Sequence, residues 1–473
     1  MNENLPALLP ELVLTGAAVI GLLTGSWLPR HRQWIVAALA VIACVSGLAG
    51  TAFTMATARE QTVFSGAFAV DAATDEGRLI VLGALLMVIT MSVETVRGHE
   101  RQTEYWVLLL MTGAGTLALI GANDNLMLFA AYLLASIPAY ALSAFAKDAS
   151  GTEASLKYYL MGALLGVTML AGIALLYGVG HATLYRELRT TLPAAPYGLV
   201  TVGLVTVLAG LLFKAGAVPA HFWVPDVTDG APAPVAAYVT TLPKVGGLIA
   251  GYRLLHQALA DTGVNWPLLL AVLAAATMTL GNLAAFFQTS VKRLLAYSTI
   301  SQVGYLLMAL AVATRTELAL QGLLFYLAAY AATNLGAFAV VTELPQARTL
   351  QDYRGLARRH PGLAAVLVVC LLGLVGTPPS GIFLGKLVVF SAAIDGGYAW
   401  LAALAVANTV ASLFYYLRWL APLFTATASA PAQGHAVLGR WAATTAYAGA
   451  ALSLVLGLAG GAVLPFGTGE LLL

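Results

Sequence analysis

Long apolar runs alternate with short charged or Gly/Pro-rich breaks from one end of the chain to the other. A helix needs about 20 apolar residues to cross a hydrocarbon core, so each run predicts a membrane-spanning helix. The runs fall near 8–28, 34–55, 78–94, 105–121, 125–146, 156–180, 197–218, 235–255, 266–287, 292–313, 318–343, 361–393, 398–420 and 441–464. They predict an all-α polytopic membrane protein with about fourteen transmembrane helices.

Two of the runs are interrupted. The seventh ends in Lys214-Ala215-Gly216-Ala217-Val218-Pro219 and continues as the segment His221 to Pro234, too apolar for a free loop and too broken for a regular helix. The twelfth carries Gly376-Thr377-Pro378-Pro379-Ser380-Gly381 in its middle. Proline removes a backbone donor and frees a carbonyl, which at membrane depth is tolerated only where the backbone is buried in protein or lines a polar cavity. The interruptions are five helices apart, so helices four to eight and nine to thirteen read as two copies of one unit. An odd number of spans per copy inverts the second copy, as in secondary transporters, whose ion path lies at the interruptions. The expected organisation is a three-helix segment over 1–104, a first five-helix repeat over 105–255, an inverted second repeat over 256–420 and a C-terminal helix in 421–473.

Composition agrees with a lipid environment. Charged residues make up 9% of the chain, hydrophobic residues 60%, and the mean hydropathy is +0.85, whereas roughly a quarter of a soluble domain is charged. The net charge of +2 forms no basic tract of the kind that binds nucleic acid. Cys44 and Cys370 lie far apart in apolar runs, which excludes an iron–sulfur cluster or a disulfide framework on this chain. The stretch Met1 to Leu9 lacks a basic region and carries Glu3, so the first run reads as a retained span and not a cleaved signal. No Walker loop or G-x-G-x-x-G turn is present to drive a nucleotide-dependent pump.

Charge then orients the helices. Cytoplasmic loops accumulate Lys and Arg, and one side holds Arg30, Arg32, Arg97, Arg101, Lys147, Lys157, Lys292, Arg293, Arg348, Arg354, Arg358, Arg359, Arg418 and Arg440. The other holds Arg59, Arg78, Arg186, Arg189, Arg253 and Arg315. Fourteen against six places the first side in the cytoplasm and, with an even number of spans, both termini outside. This tally assigns 20 of the 23 Lys and Arg to loops, and the three left over, Lys214, Lys244 and Lys386, all fall inside predicted spans.

A lysine at the bilayer centre is costly and usually faces a polar interior where it serves transport; the alternative is snorkelling to an interface, strongest for Lys214 near Pro219. A desolvated ammonium gives up its proton more readily than one in water, and a carboxylate moving near it reverses the effect. Tyr132, Ser136, Tyr140, Ser298, Thr299, Ser301, Gln302, Tyr305, Tyr326, Tyr330 and Thr333 are candidates to carry protons between lysines, with ordinary interhelical hydrogen bonding as the competing role. His221, at the broken end of the seventh helix, is a candidate link from Lys214 to water, or a capping histidine. Glu153 and Lys157, four apart, read as a helix-surface ion pair. No metal site is expected, because no ligand set has suitable spacing.

The segment from Leu212 to Asp226, followed by Asp229-Gly230-Ala231-Pro232-Ala233-Pro234-Val235, resembles the signature of the antiporter-like membrane subunits of respiratory complex I, nearest the subunit N (subunit 2) group. Glu153 to Tyr159, Lys292 to Ser298, Thr333 to Phe338 and Gly376 to Lys386 support the likeness, which runs from about residue 105 to 420. The resemblance implies a proton-translocating membrane-arm subunit of an NADH-quinone oxidoreductase in the bacterial inner membrane. Lys214, Lys244 and Lys386 would be its proton-path lysines and His221 the linking histidine. It implies no redox cofactor on this chain, with FMN, iron–sulfur clusters and quinone on other membrane-arm and peripheral subunits. In relatives a glutamate on the fifth helix modulates the seventh-helix lysine, and Leu133 stands at that place here. Gln302 stands where many relatives have histidine on the tenth helix. The missing charge could come from a neighbouring subunit or Glu153, conduction could follow a modified route, or the chain could be a structural subunit that no longer pumps. A subunit of a multisubunit cation/proton antiporter would share the same features.

Overall fold

The protein is described by a computed structural model covering residues 5–57, 60–425, 439–463 and 471–472. The start of the chain with Glu3, Arg59 and the last residue of the fourteenth predicted run lie outside the described residues. The chain order is α1 (Leu9–Trp27), α2 (Trp34–Thr57), the antiparallel hairpin β1 (Gln61–Val63) and β2 (Phe68–Val70), α3 (Ala72–Val96), α4 (Gln102–Gly121), α5 (Asn125–Ser143), α6 (Ala149–Gly180), a short α7 (Tyr185–Thr191), α8 (Tyr197–Ala215), α9 (Trp223–Gly230) and α10 (Ala233–Gln257). It continues with α11 (Trp266–Ala285), α12 (Val291–Ala311), α13 (Leu318–Glu343), a short α14 (Leu356–Arg359), α15 (Pro361–Val375), α16 (Gly381–Asp395), α17 (Ala399–Phe424), α18 (Trp441–Leu458) and α19 (Gly460–Val463).

Among the described residues twelve helices are long and apolar enough to cross a membrane, so the chain is an all-helical polytopic membrane protein. Two predicted runs fall outside those twelve. The run near 235–255 is α10, long enough but carrying Thr240, Thr241, Lys244 and Arg253. The run 361–393 is the pair α15 and α16, each of 15 residues, separated by Gly376 to Ser380.

Burial sorts the helices into layers. The apolar windows of α12 and α13 are 94% buried, against 33% for α6 and for α18. α10, α12 and α13 therefore form the interior, where polar side chains meet protein, while α1, α2, α6, α17 and α18 turn leucines and valines outward, as lipid-facing helices do. Small residues let backbones touch: a Cβ on Gly115 would lie 2.3 Å from the Ala135 nitrogen, which fixes α4 against α5. Helix starts are satisfied locally. Asp71, Asp124, Asp148 and Ser290 each accept from a free N–H in the first turn of α3, α5, α6 and α12.

Two arginines depart from the sequence reading. Arg78 and Arg253, expected in loops, lie inside α3 and α10 and are 0% exposed. Each is near a helix end, where a hydropathy boundary cannot separate loop from helix, and each is neutralised. Arg78 donates to Glu11 and Asp75, and Arg253 makes two bonds of 2.7 and 2.8 Å to Asp71.

Candidate functional site: two helix breaks and three buried lysines

α8 stops because Gly216 takes a left-handed conformation, φ 76 and ψ 36, and its N–H and that of Ala217 turn back to the Leu212 carbonyl at 2.8 and 2.9 Å. α15 stops in the same way: Gly376 has φ 87 and ψ 48, and Thr377 N–H reaches Leu372 at 3.1 Å. This is the glycine C-cap of a helix, a left-handed position that costs least for the residue without a Cβ. Pro219, Pro378 and Pro379 follow and cannot donate, so neither helix resumes at once.

The three lysines converge on these breaks. Lys214, Lys244 and Lys386 are 1%, 0% and 3% exposed, which removes the snorkelling alternative. A Cβ on Gly216 would sit 3.6 Å from Lys244 Nζ, and a Cβ on Gly376 3.6 Å from Lys386 Nζ. Each break glycine is thus the floor beneath one ammonium.

Each ammonium is held by neutral oxygens. Lys214 Nζ donates to Ser136 Oγ at 2.8 Å and lies 5.6 Å from the Tyr132 ring centre. Lys244 Nζ donates to the Val239 carbonyl at 3.2 Å. That carbonyl is free because the residue four places on is Pro243, which has no N–H to offer. Trp223 presents its ring 5.6 Å from the same ammonium. Lys386 Nζ donates to the Val375 carbonyl, at the end of α15, at 2.8 Å and to Thr409 Oγ1 at 3.2 Å, with the Tyr305 ring centre 4.2 Å away. Among the described residues none of the three has a carboxylate partner.

Polar groups lie between the two breaks. Tyr330 donates to the Thr240 carbonyl at 2.8 Å, one turn before Lys244, and its oxygen meets the Thr299 hydroxyl at 3.0 Å. Asn334 binds the Thr240 and Thr241 hydroxyls at 3.2 and 2.9 Å. Gln302 accepts from Tyr326 and donates to the Leu374 carbonyl at 2.8 Å, next to the carbonyl that holds Lys386. Ser298 meets Tyr416, and Thr333 meets Ser453 at 2.7 Å. His221 is 5% exposed; its Nδ1, Tyr305 Oη and Ser301 Oγ are buried without a protein partner among the described residues. No bond joins His221 to Lys214 there.

Two expectations concern the charge near Lys214. Leu133 is 37% exposed on the outward side of α5 in a row with Leu126 and Ile137, whereas Ser136 is 1% exposed and is the residue that reaches Lys214. Tyr132 donates to the Gly162 carbonyl at 3.1 Å, and Tyr140 packs beside it. Glu153 does not supply a charge to Lys214: it pairs with Lys157 at 2.7 Å, and it is 67% exposed. Lys157 goes further than a surface pair, since it also bonds Asp226 on α9 at 2.8 Å, and Asp226 bonds Arg293 on α12 at 2.9 Å. Asp226 and Arg293 as partners were invisible in the sequence, because residues 67 apart carry no periodic signal.

Three comparisons bear on this arrangement. The family model described as NADH:quinone oxidoreductase/Mrp antiporter, TM, matches residues 122–412. NADH-quinone oxidoreductase subunit N 1 of Streptomyces griseus is 54% identical over 468 residues, which are 98% of each chain. A chain of respiratory complex I from Thermus thermophilus with bound aureothin aligns with a TM-score of 0.84 at 31% identity, over 98% of this chain and 100% of that one. A chain of the Mrp complex from Dietzia sp. DQ12-45-1b shares the fold, with a TM-score of 0.88 at 21% identity over 98% and 96% of the two chains.

Proposed function

Because the chain belongs to the subunit N family of NADH-quinone oxidoreductase, within the antiporter-like proton-translocating membrane proteins, we propose that it moves protons across the membrane arm of such an enzyme through Lys214, Lys244 and Lys386. The observation that carries this reading is the shared state of the three lysines: buried, held by hydroxyls and carbonyls, and without a carboxylate partner among the described residues. An ammonium buried without a counter-charge is expensive, so its charged and neutral forms approach each other in free energy, which is the condition for accepting and passing on a proton.

Thr240, Thr299, Tyr330, Tyr326 and Gln302 supply hydroxyl and amide groups between Lys244 and Lys386, and water completes the relay. Tyr305 is an accessory group at Lys386, and His221 links Lys214 and Lys244 to the end of the molecule rich in Lys and Arg. That end faces the cytoplasm and both termini lie on the other side of the inner membrane. Segments 105–255 and 256–420 act as two inverted units, between the three-helix segment 1–104 and the C-terminal segment 421–473, each unit with one break. Redox chemistry, with flavin, iron–sulfur clusters and quinone, takes place on partner subunits and drives proton transfer here.

A second reading rests on α5, where Lys214 meets the Ser136 hydroxyl and no carboxylate: a subunit that holds the membrane arm together without pumping. Purifying the chain with its natural partners tests the assignment. Flavin and iron–sulfur subunits should co-purify; a complex without them would make this an antiporter subunit instead.

A further inference from the structure

α9 is eight residues long, and ion pairs and hydrogen bonds fasten it to its neighbours. Asp226 takes Lys157 of α6 on one oxygen at 2.8 Å and Arg293 of α12 on the other at 2.9 Å. Beyond it, Ser290 donates to Asp229 at 2.8 Å, and Lys292 donates to the Asp229 and Ala231 carbonyls. The inner side of the same helix touches the break and lies beside Lys244. Val224 packs on Gly216, where a Cβ would lie 2.8 Å from Val224 Cγ2. Trp223 donates to the Phe213 carbonyl at 3.1 Å, one residue before Lys214, and its ring lies 5.6 Å from Lys244 Nζ.

Two neighbouring residues of α6 therefore hold two residues of α9 at once. Lys157 binds Asp226, and Tyr158 stacks on Trp223 with ring centres 4.2 Å apart and planes 14° from parallel. Trp223 and Asp226, three apart, share one side of α9. The buried half of this contact is stiff, since Trp223 is 1% exposed. The charged half is not: the Asp226, Lys157 and Arg293 side chains are 31%, 46% and 32% exposed. Ion pairs this exposed hold weakly and open readily.

We propose that Asp226, clamped between Lys157 and Arg293, is the latch that keeps α9 closed over Lys244 and Lys214, and that its release opens the first break to water from the Lys/Arg-rich end. Asp226 is a positioning residue, acting on the lysines through Trp223 and Val224. The latch rests on the reading of the lysines as a proton path.

The test uses the intact complex in sealed vesicles, comparing Asp226→Asn, which keeps the shape and loses the charge, with Asp226→Glu. Electron transfer and protons moved per electron are measured together, along with backbone hydrogen exchange over residues 217–230. In Asp226→Asn, exchange over 217–230 should rise about tenfold with α11 unchanged, protons per electron should fall at least twofold, and Asp226→Glu should recover most of both. Wild-type exchange or a wild-type proton ratio in Asp226→Asn overturns the latch. If Asp226→Asn fails to assemble, Arg293→Gln removes one of the two ties and should give a smaller shift in the same direction; no shift overturns the proposal. Lys214→Ala and Lys244→Ala, run alongside, separate the two claims: an undiminished proton ratio in both overturns the proton path itself, whereas a fall in those with none in Asp226→Asn overturns only the latch.

Discussion

Among the described residues, five lysine and arginine side chains are almost wholly buried, and they fall into two groups with opposite surroundings. Arg78 and Arg253, near one end of α3 and α10, are saturated with carboxylates: Glu11 and Asp75 for the first, both oxygens of Asp71 for the second. Lys214, Lys244 and Lys386, at the helix breaks, face neutral oxygens and rings. Burial alone does not tell the two groups apart. Pairing does: guanidinium, always charged and fork-shaped, suits a permanent buried tie, while an ammonium left without a counter-ion suits a group that must lose and regain its charge. The arginines staple α10 to α3 and α3 to α1; the lysines have no counter-ion among the described residues.

That contrast breaks most visibly at Asp71. Asp71→Ala strands the Arg253 guanidinium in protein, and stranding one partner of a buried pair costs roughly 3–5 kcal/mol. Thermal unfolding of the purified complex should show a large loss of stability or failed assembly; a wild-type midpoint would mean that the pair is not a staple.

Gly376→Ala probes the lysine side with a smaller effect. Its φ of 87° is left-handed, and a new Cβ would come within 3.0 Å of Lys386 Cδ. The backbone cost is about 1–2 kcal/mol, and the Lys386 side chain must give by a few tenths of an ångström, which disturbs its bond to the Val375 carbonyl, so both the unfolding midpoint and proton transfer should fall. Proton transfer at the wild-type rate would show that Lys386 does not need its place on the break.

The smallest effect is expected at Leu133→Glu. Residue 133 faces outward, 37% exposed, so a carboxylate there meets lipid or a neighbouring subunit and not Lys214. The proton ratio should stay at the wild-type value, while Ser136→Ala, which removes the oxygen that Lys214 holds, should lower it. The reverse outcome would return residue 133 to the centre of the mechanism.

Much of this contrast was legible along the chain. Lys244 after Pro243, Lys214 before Gly216 and Lys386 after the Pro378-Pro379 break are local signals, since a charge or a proline in an apolar run is read without knowing the fold. Their partners were not legible. The Val239 carbonyl is freed by a missing N–H that only helical geometry brings opposite it, and Ser136 reaches Lys214 across 78 residues of chain. Arg78 and Arg253 were misread as loop residues because counting charges near the ends of apolar runs cannot distinguish a solvated arginine from one buried against an aspartate. The direction in which the fifth helix turns Leu133 was not legible for a related reason: a residue's place in a motif gives its neighbours in sequence, and only packing shows which way it faces.

The most direct measurement of the central claim is the number of protons moved per electron by sealed vesicles carrying the complex with Lys214→Leu, Lys244→Leu and Lys386→Leu together. Leucine fills the buried space without charge, and a buried charge replaced by an apolar side chain of similar volume is often neutral or stabilising. The complex should therefore assemble and still reduce quinone, with its proton ratio well below that of the wild type. An assembled complex with an unchanged ratio would contradict the account.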